Sequence, residues 1–294
     1  MSIHSVKIVN ILEGLLVGND QAAARNKQRF SDAGVLTINI MSSPGAGKTS
    51  LILKTLAAVQ GKARIGVIEG DIAGSIDTEK VIAAGAQDAV QINTGGNCHL
   101  EANMVDRALD TLDLAAFDIM IVENVGNLVC PTHWALGEHL RLCILSTAEG
   151  HDKPIKYPQM FVTSDAIILN KIDLIELVDF EREFFYASVR ALNPEVPIFE
   201  VSCRTGEGIT AWADWLLGQR GIVGSRQSAE SGRQRAARSR TAGDLSYVCC
   251  RLEGTGVNYL RLLRMTGVAR FGWQELLAPQ PVQLVADTQQ YAED

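Results

Sequence analysis

VLTINIMSSPGAGKTSLILKTLAAV, residues 35–59, is the stretch that decides how this chain folds. An apolar run rich in β-branched residues (35–41) leads into a glycine-rich turn. The turn leads into LILKTLAAV, a segment of helix-favouring residues. Between them SSPGAGKT (42–49) keeps the closing half of the phosphate-loop pattern GxxxxGK[ST], as Gly47, Lys48 and Thr49. Ser42 stands where the opening glycine belongs, and Gly45 sits two residues before Gly47. Strand, turn and helix in this order aim the backbone N–H groups of Gly45, Ala46, Gly47, Lys48 and Thr49 at an anion, with Ser50 just behind them. Lys48 is expected to reach the β- and γ-phosphates, and the Thr49 hydroxyl to ligate Mg²⁺.

Outward from this stretch, short apolar runs alternate with helical patterns. ARIGVIE (63–69), DAVQIN (88–93), DIMIVEN (118–124), LRLCILST (140–147), DAIILN (165–170) and VPIFEVS (196–202) read as strands. Their largely non-alternating apolar character indicates a parallel sheet covered on both faces, so the expected fold is α/β, a P-loop NTPase. Residues 1–30 read as an N-terminal amphipathic helix, with Val6, Val9, Ile11, Leu12, Leu15 and Leu16 near helical spacing. Residues 31–219 form the expected nucleotide-binding domain. Residues 220–243 carry six arginines against Glu230 in a Gly/Ser/Ala/Gln-rich stretch that reads as a flexible linker. Residues 244–294 are an extension to which no motif gives a role.

Composition narrows the class. Hydrophobic residues make up 47% and charged residues 21% of 294, ordinary for a soluble globular chain. No apolar run approaches the roughly 20 residues of a membrane helix, and MSIHSVKIVNILEG lacks the order of a secretory signal. The expected location is the cytoplasm, without membrane association. A net charge of −7 gives no reason to expect nucleic-acid binding. Six cysteines in a chain this long do not form a dense disulfide framework. In a reducing compartment they are core thiols or ligands.

Ligands of such sheets bind beyond the carboxyl ends of the strands, and the remaining motifs lie there. NKID (170–173) follows the strand DAIIL. Asp173 can accept both the N1–H and the exocyclic amine of guanine, while Asn170 braces the loop and Lys171 is expected to lie along the base. SCRTG (202–206) follows the next strand and offers a backbone N–H near Ser202 and Cys203 to the guanine O6. The expected nucleotide is therefore GTP. Asp71, in EGDIAGSID, and Glu123, in ENVGN, are placed to sense Mg²⁺, and the Gly126 N–H to approach the γ-phosphate. Glu69 or Asp77 remain alternatives for part of this. Lys48, Asp71 and Glu123 are the expected catalytic residues. No strong general base is evident, so slow hydrolysis is expected.

A second chemistry sits beside the first. Cys98 and His99, in TGGNCHL, are adjacent at a glycine-rich turn before a helix expected near Leu100. Cys130, in ENVGNLVCP, lies four residues beyond Gly126. Thiolate and imidazole suit Ni²⁺ or Zn²⁺ rather than Mg²⁺. A lone cysteine reads as a small buried residue, but three candidate ligands at one sheet edge read as a metal site that a fourth group would complete. His133 and His139 read as exposed loop or helix residues, Cys143 as core, and Cys249 and Cys250 as structural.

SSPGAGKTSLI, VIEGDIAGSIDTEKV, QINTGGNCHLEANMV, IVENVGNLVCP, LGEHLRLCILSTAEGHDKPIKYPQMF, ILNKIDL and TGEGITAWADWL together make residues 5–218 resemble the HypB family of hydrogenase nickel-incorporation GTPases. The resemblance implies the GTPase branch that works by nucleotide-dependent dimerisation. It implies metal ligands at Cys98, His99 and Cys130, and Lys153 reaching toward the partner subunit's nucleotide. It also implies nickel delivery to the large subunit of [NiFe]-hydrogenase, a homodimer, and a nickel chaperone as further partner. Residues 1–30 hold only His4 and no cysteine, so an N-terminal nickel motif or His-rich store is not supported. Two alternatives stay open. One is an accessory GTPase for urease or a cobalamin enzyme. A urease protein would show Cys-Pro-His, whereas Thr132 follows Cys130-Pro131 here, and a cobalamin type would lack Cys98-His99. The other is a non-catalytic metal-binding or storage protein on a nucleotide fold.

Overall fold

The computed structural model describes residues 11–71, 76–221 and 223. In chain order the regular elements are α1 (Ile11–Asp32), β1 (Leu36–Ser42), α2 (Lys48–Val59), β2 (Ile65–Asp71), α3 (Ile76–Ala83), β3 (Asp88–Asn93), α4 (Ala102–Leu109), β4 (Ile119–Glu123), β5 (Leu140–Ser146), α5 (Lys153–Lys156), α6 (Pro158–Val162), β6 (Ala166–Asn170), α7 (Arg182–Leu192), β7 (Ile198–Val201) and α8 (Ile209–Gln219). All seven apolar runs expected to be strands are strands. Cys249 and Cys250, most of the Arg-rich stretch and the C-terminal extension lie outside the described residues.

The strands form one parallel sheet in the order β3-β2-β4-β1-β5-β6-β7. Non-alternating apolar runs make sense once both faces are seen to be covered. In β4, Ile119 and Ile121 join the core beneath α2 and α8, while Met120 and Val122 join the core beneath α1 and α4. In β6, Ala166 and Ile168 face the first of these cores, and Ile167 and Leu169 face a third beneath α6 and α7. Trp212 of α8 is fully buried and its Nε1–H donates to Thr55 Oγ1 of α2 at 2.9 Å, fixing the two helices side by side.

β1 lies at the centre, between β4 and β5. The chain leaves β1 over β4 toward β2 and β3, returns to β4, then runs past β1 to β5, β6 and β7. This reversal of direction leaves a crevice beyond the carboxyl end of β1, the place where open α/β sheets take ligands.

α1 extends to Asp32, two residues past the expected end. It is more than an amphipathic cover, because it buries Asn19 and Asn26. Asn19 Nδ2 donates to Ala135 O at 2.8 Å and its Oδ1 accepts from Ala102 N at 2.8 Å. Asn26 Nδ2 donates to Ala102 O and Leu136 O at 2.8 and 2.9 Å. Each buried carboxamide thus satisfies backbone groups at the start of α4 and in the loop after β4. Gly137 permits this contact: with φ at +99°, an added Cβ would lie 2.6 Å from Asn26 Cβ. His139, expected on an exposed loop or helix, is half-buried. Its Nδ1 accepts from Thr37 N at 3.0 Å and its Nε2 lies 3.0 Å from Ser31 Oγ, so it braces α1 against β1. Among the described residues no helix is long and apolar enough to cross a membrane.

Candidate functional site: a phosphate cleft with a thiol–imidazole cluster on its rim

Residues 42–49 turn sharply between β1 and α2. Gly45 and Gly47 adopt left-handed φ angles of +77° and +106°, and Gly47 precedes α2 without any side chain capping the helix. The first-turn N–H groups of α2 are therefore left open to an anion. A Cβ on Gly47 would lie 2.4 Å from Asn170 Nδ2, so glycine is required there by space as well as by conformation. The loop borders an open cleft of about 480 Å³ that also meets Asp71, Glu123 and Gly126, a size that suits a small ligand.

The oxygen-bearing residues gather on one side of this cleft. Thr49 Oγ1 donates to both carboxylate oxygens of Glu123, at 3.1 and 3.3 Å. Glu69 is the register partner of Glu123 across β2 and β4, and Thr78 of α3 donates to its Oε2 at 2.5 Å. Asp71 ends β2 with its side chain exposed. Lys48 Nζ donates to Ser42 Oγ at 3.3 Å, so serine at the opening position of the loop holds the lysine. The Asp77 side chain lies outside the described residues.

At the other end, Asn170 Nδ2 donates to Ala46 O at 2.8 Å, and its Oδ1 accepts from Cys203 N at 3.3 Å. Asn170, at the end of β6, thus ties the phosphate loop to the loop after β7. Lys171, at a left-handed φ of +60°, sends Nζ to Gly45 O at 2.8 Å. It stands over the phosphate loop where the sequence placed it along a base. Ser202 Oγ donates to Asp173 Oδ1 at 2.6 Å and orients that carboxylate. Burial pushes the Cys203 thiol up to about 11, so it is inert at neutral pH. One support, Glu149, went unread in the sequence. Glu149 accepts from Ser43 Oγ and, at 2.6 Å, from Ser146 N. Burial holds its carboxyl above the ordinary range. Lys153 Nζ donates to Glu149 O and to Asp152 Oδ1 within its own loop.

The metal candidates come together. One ligand atom from each of Cys98, His99 and Cys130 lies within 4.8 Å of the others. α4 begins at Ala102, not Leu100, so Cys98 and His99 occupy a turn where adjacent side chains can converge, while Cys130 opens a short 3-10 helix, Cys130–His133. Cys98 and Cys130 are free thiols, and Cys143 is fully buried in β5. His99 Nδ1 faces Cys98 Sγ at 3.7 Å, and its ring stacks on Trp134 with centroids 4.7 Å apart. Its Nε2 is buried without a hydrogen bond, 4.0 Å from Glu101 Oε1. Burial pulls the His99 imidazole below its usual range and outweighs the Glu101 carboxylate. The ring is therefore held in the neutral form that ligates metals. The adjacent Cys98 thiol, and after it burial, hold the Cys130 thiol above its usual range. Ligation would draw protons off both thiols. His133 is exposed and takes no part in the cluster.

The cluster rests on the cleft. Leu100 is fully buried against Gly70, where an added Cβ would lie 2.6 Å from Leu100 Cγ. Gly70 separates Glu69 from Asp71. Asn124, also fully buried, accepts from Leu100 N at 3.0 Å and donates to Asn39 Oδ1 of β1 at 3.2 Å. These asparagines and Trp134 carry no recognisable short motif.

The comparisons with known proteins agree with this arrangement. Residues 36–200 match the family model described as CobW/HypB/UreG, nucleotide-binding domain. Hydrogenase maturation factor HypB of Azotobacter vinelandii is 44% identical over 215 residues, 73% of this chain and 71% of that protein. Hydrogenase/urease maturation factor HypB of Helicobacter pylori is 40% identical over 217 residues, 72% of this chain and 88% of that protein. The crystal structure of HypB from Helicobacter pylori in complex with nickel superposes with a TM-score of 0.66 at 39% identity, covering 69% of this chain and 95% of that one. With its phosphate loop, its parallel sheet and its thiol–imidazole cluster in place, the chain belongs to the HypB family of hydrogenase maturation factors.

Proposed function

We propose that this chain is a cytoplasmic GTP-hydrolysing metallochaperone that assists nickel insertion into [NiFe]-hydrogenase, with GTP controlling a nickel site at Cys98, His99 and Cys130. One observation carries the reading: three N/S ligand atoms lie within 4.8 Å of one another on loops that follow β3 and β4. β4 also ends in the Glu123 that accepts from Thr49 of the phosphate loop. The nickel-bound relative supports the choice of metal, with Zn²⁺ as competitor for the same ligands.

In this reading the Gly45–Ser50 backbone and Lys48 hold the phosphates, and the Asp173 carboxylate, aligned by Ser202, selects guanine. The Cys203 backbone N–H completes the base loop. Thr49, Glu123 and Asp71 are hard oxygen donors of the kind that Mg²⁺ takes. The bound Mg²⁺ would neutralise charge on the β- and γ-oxygens. The Gly126 N–H meets the γ-phosphate. A water oxygen bonds to the γ-phosphorus as the bond to the β–γ bridging oxygen breaks, giving GDP and inorganic phosphate. Asp71 orients that water. With that water oriented and not deprotonated, turnover is slow, below the roughly 1–100 s⁻¹ of kinases. Nickel is cargo: the neutral His99 and the two thiols, once deprotonated, take it up. Three ligands leave a place for water or a second subunit, which fits a GTP-dependent homodimer with Lys153 near the partner's nucleotide. A nickel chaperone upstream and the hydrogenase large subunit downstream are the expected partners.

Calorimetric nickel titration of the full chain, with and without a non-hydrolysable GTP analogue, tests this. Cys98→Ala or His99→Ala is expected to abolish nickel binding at this site and leave GTP binding intact, while Lys48→Ala removes GTP turnover. Wild-type nickel affinity indifferent to the nucleotide would sink the coupling. The Helicobacter pylori relative named for both hydrogenase and urease favours a second reading, nickel supply to urease. Hydrogenase and urease activities in a deletion strain, with added nickel as rescue, separate the two.

A further inference from the structure

Coupling between a nucleotide and a metal is carried by contacts that link their loops, and among the described residues one half-buried side chain reaches the backbone of both ligand loops. Asn127 follows Gly126, whose missing side chain lets the phosphate loop close in: a Cβ on Gly126 would lie 2.9 Å from both Pro44 Cα and Pro44 N. The Asn127 backbone N–H donates to Ser42 O at 2.7 Å, the residue that ends β1 and opens the phosphate loop. The side chain turns the other way. Its Nδ2 donates to Cys98 O at 3.4 Å, and its Oδ1 accepts from Val129 N at 2.8 Å and Cys130 N at 3.4 Å. One carboxamide therefore spans the two thiol-bearing loops, and its own backbone is fastened to the loop that cradles phosphate.

We propose that Asn127 is the positioning residue through which the nucleotide state sets the separation of Cys98 and Cys130, and hence nickel affinity. The proposal rests on the nickel reading above. The chemistry singles out asparagine: the site needs a donor toward one loop and an acceptor toward the other at the reach of a single methylene. Aspartate would keep the acceptor for Val129 N and Cys130 N but set an oxygen against the Cys98 carbonyl. Asn124 differs in kind. Its bonds run to Leu100, Val125 and Asn39 of the central strand, so it anchors the floor of the site without touching the phosphate loop. The weak 3.4 Å bonds from Asn127 are where small displacements of the phosphate loop register first, because a contact near its distance limit is the easiest to make or break.

The test uses the full chain as wild type, Asn127→Ala, Asn127→Asp and Cys98→Ala. Nickel is titrated in GDP and in a non-hydrolysable GTP analogue, read by calorimetry and by the thiolate-to-nickel charge-transfer absorbance. Removing a group that orients metal ligands weakens binding by about 10- to 100-fold. That loss is expected for Asn127→Ala, with its nickel affinity now equal in the two nucleotides and its affinity for the GTP analogue as in wild type. Asn127→Asp is expected to bind nickel at intermediate strength, with the nucleotide response also lost. An Asn127→Ala or Asn127→Asp protein whose nickel affinity still responds to nucleotide as wild type does overturns the assignment. The underlying reading fails separately, if Cys98→Ala binds nickel as wild type does or if the wild type itself shows no response.

Discussion

Gly70→Ala is the substitution that most directly probes the floor shared by the two halves of the site. In a strand, exchanging glycine for alanine ordinarily stabilises a protein by about 0.4–1 kcal/mol, because the unfolded chain loses freedom. Gly70 has an ordinary strand backbone, so no conformational strain opposes the exchange. Space does. The added methyl would lie 2.6, 2.7 and 2.8 Å from Leu100 Cγ, Cδ2 and Cδ1, with the leucine itself fully buried. Carbon atoms sit at about 3.5–4.0 Å in contact, so Leu100 must move by about 1 Å. Its peptide is fixed by Asn124, and His99 and Cys98 are next in the chain. Overpacking of this kind costs about 1–3 kcal/mol, which outweighs the backbone gain and leaves a net loss of up to about 2.6 kcal/mol. Urea unfolding measures the loss, and nickel titration of the same protein is expected to show weakened binding. Leu100→Ala in the Gly70→Ala background restores room, so the two changes should be non-additive by about 0.5–3 kcal/mol. A stabilised Gly70→Ala protein with unchanged nickel affinity would refute the idea that the cluster is seated on β2.

Two further outcomes follow from His99 and its neighbours. The folded protein holds His99 below the ordinary imidazole value of 6.5, chiefly through burial. The unfolded chain therefore binds the extra proton first as pH falls, so the stability owed to neutral His99 is complete above about 6.5 and is lost progressively below it. Urea midpoints measured from pH 7.5 down to 5.5 should fall less steeply for His99→Asn than for wild type, and parallel slopes would count against it. Trp134 stacks on the same ring, and an aromatic pair contributes about 0.5–1.5 kcal/mol beyond its buried area. Trp134→Leu should weaken nickel binding by about that free energy and Trp134→Phe by less, with nickel quenching of tryptophan emission lost in both. Quenching that survives in Trp134→Phe would place the reporter elsewhere.

The parts of this molecule legible in its sequence are those fixed by local chemistry. VLTINIM, DIMIVEN and DAIIL announce strands because each is apolar on both faces, and Gly47-Lys48-Thr49 announces an anion loop because few other uses fit that order. Cys98, His99 and Cys130 were readable as a group because the sheet brings successive strand ends to one edge. What could not be read is reach across the fold. Asn127 has no reading in the sequence, because its carboxamide spans two loops that meet only in the folded chain. The bond from Lys171 Nζ to Gly45 O joins loops 126 residues apart. His139 looked exposed, because nothing local reveals that Thr37 N would need an acceptor. Glu149 lies 106 residues from the serine it braces.

The buried asparagines of α1 carry a consequence for the order of events in the life of the chain. Asn19 waits for partners 83 and 116 residues away, and Asn26 for partners 76 and 110 residues away. Contacts between residues so distant in sequence close late, because the loop they shut is entropically expensive until intervening structure forms. α1, which precedes all seven strands in sequence, is thus the clamp that finishes last. The turn bearing Cys98 and the loop bearing Cys130 gain their fixed separation only when β1 through β4 are assembled beneath them. We expect thiol protection at Cys98 and Cys130 to appear in refolding after the sheet's backbone amides are protected, as pulsed alkylation and hydrogen exchange would reveal; thiols protected first would contradict it. If the cluster holds nickel as proposed, a nascent or damaged chain offers two ordinary cysteines instead of a chelating pair, and metal loading doubles as an inspection of the finished fold.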